Sequence, residues 1–190
     1  MADGKIELQI VVADPSHAGD VARIYAPYVT DTSISFEEVP PAEVDIAHKI
    51  EETLRAHPWL VALLHGEVAG YAYASPHRDR AAYRWSTDVS VYVDPRFQRR
   101  GIGTVLYRRL FDILRSQNYV NAYAGITLPN AGSVGLHESL GFRFVGEYEN
   151  VGFKFGRWHS TGWWQLNLQP WSPEPAEPIP FSSVSASSGY

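Results

Sequence analysis

The amino-acid sequence predicts an α/β fold, with a mixed central β-sheet and helices on both of its faces. Three observations predict it. Stretches rich in β-branched residues, such as WSTDVSVYVD and VNAYAGITL, alternate with stretches whose apolar residues recur at helical spacing. In chain order these stretches read β, α, α, two strands, then βαβαβ and a final strand. The turn VDPRFQRRGIG joins a strand to a helix and carries Arg96, Arg99, Arg100, Gly101 and Gly103 in a chain that is acidic overall.

Lys5 to Ala13 reads as the first strand, closed by Asp14 and Pro15. Val21, Ile24, Tyr25 and Tyr28 then fall on one helical face, and a loop rich in Thr, Ser and Asp follows, with Phe36 in it. After Pro40 and Pro41, the residues Ile46, Ile50 and Leu54 define a second helix. WLVALLHGEVAGYAYASP gives two strands joined at His65 and Gly66, and Trp85 to Asp94 gives the next. Past the glycine turn, Ile102, Leu106, Leu110 and Ile113 face inward from a third helix. VNAYAGITL is a strand, Pro129 and Asn130 open a short helix, and Gly141 suits its C-terminal cap. FRFVGEYE and WHSTGWWQLNL supply the last strands. Residues 1–169 therefore read as one domain, and 170–190, rich in Pro and Ser, as a tail outside the fold.

With 190 residues, 45% apolar and 19% charged, the chain has the balance of an ordinary globular domain. A net charge of -5 argues against a nucleic-acid surface. No cysteine is present, so disulfides, thiolate nucleophiles and thiolate metal sites are excluded. MADGKIELQI lacks the pattern of a secretory leader, and no apolar run could span a bilayer, so no membrane role and a cytoplasmic location are expected. His17, His48, His57, His65, His77 and His159 show no metal-ligand spacing, and no metal is expected.

Two stretches carry chemistry. Around Gly101 and Gly103 the backbone can bring several N–H groups toward one point at a helix N-terminus, which suits a diphosphate. A purely structural turn with solvated arginines is the alternative. In the strand before it, Ser86, Asp88, Ser90 and Tyr92 point to one side, and Thr87, Val89, Val91 and Val93 to the other. A carboxylate in that polar stripe is a candidate general base, and a salt bridge to Arg84 or another arginine is the alternative. Asn130, Ser133 and His137 share one face of the short helix. Asn130 also suits a helix N-cap, and His137 a packed core histidine. Tyr92 and Tyr123 are possible proton donors or core residues.

Gln98-Arg99-Arg100-Gly101-Ile102-Gly103 resembles the Q/R-x-x-G-x-G/A motif of GCN5-related N-acetyltransferases (GNAT). YRWSTDVSVYVDPRFQRRGIG, LPNAGSVGLHESLGF and VGFKFGRWHSTGWWQ resemble the branch that acetylates phosphinothricin and methionine sulfone or sulfoximine. The resemblance spans roughly Ile6 to Leu168. It implies the GNAT (acyl-CoA N-acyltransferase) fold and acetyl-CoA as co-substrate. Val91, Tyr92 and Val93 would pair with the pantetheine arm, and Arg99, Arg100, Gly101, Ile102, Gly103 and Thr104 would hold the pyrophosphate. Asn130 and Ser133 would face the cofactor. Asp88, where the branch usually has glutamate, would act as base, directly or through a water, with His137 in support. Arg78, Arg80 and Tyr83 would bind the acid groups of a small amino acid, and Phe36 would cover it. Arginine forks suit such oxygens, although solvated loop arginines are the ordinary state.

The implied reaction is acetylation of the α-amino group of phosphinothricin, methionine sulfone or sulfoximine, or an arsenical analogue, as detoxification. A protein N-terminal or polyamine acetyltransferase and a silent acyl-CoA-binding regulator are the alternatives. Trp158, Trp163 and Trp164 exceed what an edge strand buries alone, and the resemblance implies a homodimer that covers them.

Overall fold

The computed structural model describes residues 8–188. Among these, seven strands form one sheet in the order β1-β2-β3-β4-β5-β7-β6. They are β1 (Leu8–Val12), β2 (Trp59–Leu64), β3 (Glu67–Pro76), β4 (Ser86–Val93), β5 (Asn121–Leu128), β6 (Arg143–Lys154) and β7 (Arg157–Asn167). Every neighbouring pair is antiparallel except β4 and β5. The first three residues of the expected opening strand, 5–7, lie outside the described residues. The expected mixed sheet with helices on both faces is what the chain adopts.

Helices α1 (Ala18–Thr30) and α2 (Glu43–Ala56) cover one face. Their Val21, Ile24, Ile46 and Ile50 pack on Trp59, Val61 and Tyr71. On the other face, α3 (Ile102–Ser116) sets Leu106, Leu110, Ile113 and Leu114 against Leu60, Ala62, Ala72 and Ala122. Strand β2 is thus buried on both sides, which explains its continuous apolar run. Two-residue turns join the hairpins: His65 and Gly66 at φ 52° and 84°, and Phe155 and Gly156 at 51° and 73°. Both dihedral pairs fit the primed turns that match strand twist. Helix α4 (Ala131–Ser139) follows the cis Leu128–Pro129 peptide and ends as expected at Gly141, φ 94°.

Two expectations need correction. The segment from Pro170 does not stay outside the fold. Phe181, at the start of α5 (Phe181–Ser188), is 2% exposed within the main core, and Val184 is buried beside it. Upstream, Ile179 N–H donates to Gln117 O, and Asn118 Nδ2 donates to Glu177 O. Prolines hold the segment extended, and a few apolar anchors suffice to dock it. The tryptophans of β7 also differ from expectation, because β7 lies inside the sheet and β6 is the edge. Trp164 is buried and Trp163 partly so, and only Trp158 is exposed.

If Phe181 anchors the segment, Phe181→Ala should lower the free energy of unfolding by about 3 kcal/mol. Urea denaturation of the full chain reads this directly; an unchanged midpoint and slope would mean the segment contributes nothing to the core.

Candidate active site

Strands β4 and β5 pair only at their first residues: Ser86 with Asn121, Thr87 with Ala122, and Asp88 with Tyr123. Beyond Asp88 they separate, though β4 runs on to Val93 and β5 to Leu128. Each arm keeps its other neighbour. β3 pairs β4 as far as Val93, and β7 pairs β5 as far as Leu128. The result is a wedge within the sheet, with Asp88 at its apex. Asp94 N–H donates to Ala69 O on the β3 side. Backbone polar groups alternate along a strand, so those of Val93 and Val91 face the wedge. Tyr28 hydroxyl takes the Val93 carbonyl at 2.6 Å. Val91 is therefore placed to pair with an extended amide ligand.

A groove of about 530 Å³ follows the wedge outward. Val91, Tyr92, Val93, Arg99, Gly101, Ile102, Gly103, Thr104, Asn130 and Ser133 all line it. Arg100 does not; its guanidinium lies over Phe97, 5.6 Å from the ring centre. Helix α3 is preceded by its N-cap Gly101, in the left-handed region at φ 78° and without a side-chain cap hydrogen bond. Its first-turn N–H groups have no intrahelical acceptor and point to the groove, a ready anion site. Arg99 also has positive φ, 61°. Arg96, by contrast, is used internally: it donates to Asp94 and Glu67. Asp94 also accepts from Arg23, and these hydrogen bonds hold its pKa well below the usual carboxylate range.

Asn130 caps α4, its Oδ1 accepting from Ser133 N–H at 3.1 Å, and the residue also lines the groove. His137 is buried behind it. Its Nδ1 is 2.8 Å from Ser133 O and its Nε2 is 3.0 Å from the Tyr107 hydroxyl. A carbonyl only accepts, so Nδ1 carries the hydrogen and Nε2 accepts from Tyr107. Burial lowers its pKa and keeps it neutral. The ring borders a narrow cavity of about 60 Å³, shared with Ser90, Gly125 and Thr127, that links the groove to the wedge.

At the apex, Asp88 is 27% exposed and its Oδ1 lies 2.6 Å from His77 Nδ1. Burial raises its pKa, opposed by the His77 hydrogen bond and the charges of His77 and Arg78. Arg84, the alternative partner, pairs with Glu177 instead. His77 stacks on Tyr123, with ring centres 4.3 Å apart. Arg78 lies 5.9 Å from the Trp163 ring and donates to His77 O, and the Tyr83 ring is 6.0 Å from that of His77. Arg80 is exposed and makes no ion pair among the described residues. Tyr92 belongs to a ring cluster with Tyr25, Tyr28 and Tyr71, and burial raises its pKa well above that of free tyrosine.

A second cavity, about 480 Å³, opens between the arms under Phe36 and is lined by Tyr25, Tyr92, Gly125, Thr127 and Thr161. The loop that carries Phe36 is held from β6. Lys154, buried, donates from Nζ to the carbonyls of Val29, Ser35 and Glu37 at 2.6–2.7 Å. Gly152 lies against the Phe36 ring with no room for a Cβ. His77, Gly152 and Lys154 were not singled out from the sequence. Their signal is strand register and hairpin reach, which motif spacing does not carry.

The description of the acetyltransferase (GNAT) family matches residues 22–142. The chain belongs to that family. It is 37% identical over 169 residues to phosphinothricin N-acetyltransferase of Streptomyces viridochromogenes, covering 87% of this chain and 92% of that one. It is 33% identical to the L-methionine sulfoximine/L-methionine sulfone acetyltransferase of Salmonella typhimurium, covering 85% and 95%. The crystal structure of a phosphinothricin acetyltransferase from Sinorhizobium meliloti, in complex with AcCoA, superposes with a TM-score of 0.86 at 31% identity, covering 92% and 97%. A GNAT acetyltransferase needs a long groove for acetyl-CoA, and the free N–H groups at Gly101 to Thr104 and the wedge-facing backbone of Val91 fit that ligand. Among the described residues no cluster of three His, Asp or Glu side chains suits a metal.

Gly101→Val would force a β-branched residue to φ 78°, a strain of about 1–3 kcal/mol at the start of α3. Affinity for acetyl-CoA, measured by calorimetry, should fall about tenfold or more in a protein that remains folded. Unchanged affinity would mean that this turn does not hold the ligand.

Proposed function

We propose that the enzyme transfers acetyl from acetyl-CoA to the α-amino group of a small acidic amino acid such as phosphinothricin, methionine sulfone or sulfoximine, or arsinothricin, in a detoxification or resistance role. One observation carries the reading: the wedge closes on Asp88, and Arg78 and Tyr83 stand beside it while Phe36 roofs the adjoining cavity. An acidic substrate supports this placement because its oxygens suit the Arg78 fork, while its ammonium reaches a carboxylate. Arg80, which points to solvent, joins the proposal as a charge on the approach. The names of the curated relatives support the same substrate class.

The residues divide the work. Gly101 to Thr104, with Arg99 and the more distant Arg100, hold the diphosphate; Val91 and Val93 align the arm; Asn130 and Ser133 close the groove. Acetyl-CoA supplies the acyl group as a thioester, whose thiol, with a pKa of about 8.5, leaves readily. Asp88 takes the proton from the incoming ammonium, through a water because its side chain is one methylene shorter than glutamate. Its raised pKa makes it a stronger base than an exposed aspartate. His137, neutral and with both nitrogens engaged, supports the wall of the channel.

A panel of phosphinothricin, methionine sulfone, a neutral amino acid, a peptide and a polyamine, followed by thiol release, tests the substrate class. Phosphinothricin and methionine sulfone, whose side chains present phosphinate or sulfone oxygens, should have the highest kcat/KM; preference for the neutral amino acid, the peptide or the polyamine, or no turnover at all, would overturn it. Asp88→Asn should reduce kcat by about 10²–10⁴-fold with little effect on acetyl-CoA binding. Because burial raises the Asp88 pKa, wild-type kcat/KM should fall on acidification above the ordinary carboxylate range, and the Asn variant should lack that limb.

The proposal includes a cytoplasmic homodimer. Phe144, Val145, Tyr148, Val151 and Phe153 on β6, with Phe155 and Trp158, are each half exposed or more. An apolar edge of that extent supports pairing with a second copy. Sedimentation should show a dimer that Trp158→Glu weakens; a monomeric wild type would sink the idea.

A further inference from the structure

We infer that His77 is a positioning residue for acetyl transfer, holding Asp88 by one carboxylate oxygen and leaving the other free to accept the amine's proton. Its consequence for turnover rests on the function proposed above, but its geometry stands apart from it. Strands β3 and β4 pair with Ser75 opposite Asp88. His77 follows by two residues, so it lies diagonally across on the same face. Its Nδ1 is 2.6 Å from Asp88 Oδ1. A carboxylate oxygen accepts, so Nδ1 carries the hydrogen.

The ring is fixed from three sides. Tyr123 of β5 stacks on it at 4.3 Å with 18° between planes. Tyr83 and Trp163 meet it edge-on, each with ring centres 6.0 Å away. The plane of the ring, and with it the direction of the N–H, is therefore set by packing and not by the carboxylate. An aspartate has few bonds to rotate and this one is partly buried, so a single hydrogen bond from the packed ring is enough to orient its carboxylate.

The charged and titratable groups around the pair are Arg78 from the same loop, Tyr83 from the turn after it and Tyr123 from β5. Burial raises the proton affinity of Asp88, while His77 and Arg78 lower it. Among the described residues, His77 alone hydrogen-bonds the carboxylate. Without that donor, burial acts with less opposition. In the reaction one ammonium proton passes through the bridging water to Asp88 Oδ2 and the nitrogen bonds to the acyl carbon. The carbon–sulfur bond then breaks with its electrons on sulfur, and the thiolate takes the second nitrogen proton, which leaves a neutral amide and a thiol. His77 keeps its own proton throughout.

The test uses the full chain as wild type, His77→Phe and His77→Asn, with isotope-edited NMR of labelled histidine and aspartate. Phenylalanine keeps the stack and lacks the donor, whereas the asparagine amide can replace the Nδ1 hydrogen. In wild type the His77 ring should carry its proton on Nδ1. In His77→Phe the Asp88 titration should move to higher pH, by about threefold or more in proton affinity, and the acid limb of kcat/KM should move with it. His77→Asn should hold both near wild type, and neither variant should change acetyl-CoA affinity. A proton on Nε2 alone in wild type, or an unmoved Asp88 titration in a folded Phe variant, would overturn the inference. If the Phe variant does not fold, the wild-type tautomer decides. Absence of turnover with every amine would defeat the proposed reaction and leave the NMR result to judge the pairing.

Discussion

The organising constraint is the loss of pairing between two parallel strands. β4 and β5 share three residue pairs and then part. A sheet interior cannot leave backbone groups unpaired without cost, so a split of this kind has to be held open by something else. Here β3 and β7 hold the two arms along their whole length. The inner edge of β4 is then left for a ligand, and among the described residues Tyr28 caps the Val93 carbonyl. The groove, the anion site at α3 and the apical carboxylate all take their positions from that split. Each would be an isolated surface feature without it.

Periodicity made the elements legible. The helical spacing of Ile102, Leu106, Leu110 and Ile113 and the alternation from Ser86 to Val93 are imposed by burial on one face, and burial is what composition reports. The glycine turn was legible for a related reason, because Gly101 sits at a dihedral that other residues rarely adopt. Long-range register was not legible. His77 meets Asp88 only because Ser75 pairs with Asp88, and nothing in an isolated histidine announces that. The docking of Phe181 was hidden too, since a Pro-rich, Ser-rich stretch reads as solvent-facing even when one aromatic anchors it. The tryptophans of β7 misled because the chain order of the last two strands is the reverse of their order in the sheet.

Electrostatics narrows the set of residues available for binding. Near the site, Asp94 and Glu67 occupy Arg96, Asp94 and Asp20 occupy Arg23, and Glu177 occupies Arg84. Those arginines fasten loops, and their charge is largely neutralised where it stands. Arg99 and Arg100 beside the α3 terminus, and Arg78 beside the apex, have no ion-pair partner among the described residues. An acidic chain can therefore present positive charge at both ends of one cleft.

Lys154 shows how the far wall of that cleft is made rigid. A buried ammonium without a carboxylate would be costly, but three carbonyls accept its three protons, and the lysine carries them from the β6–β7 hairpin to the loop after α1. Burial lowers its pKa, opposed by the charges of Glu38 and Glu37. The same hairpin brings Gly152 against Phe36, so β6 adds to the loop's own hydrogen bonds in positioning the cover of the second cavity. β6 is also the strand whose exposed apolar side chains form the sheet edge. The second copy proposed for that edge would seat on the same strand that carries Lys154 and Gly152.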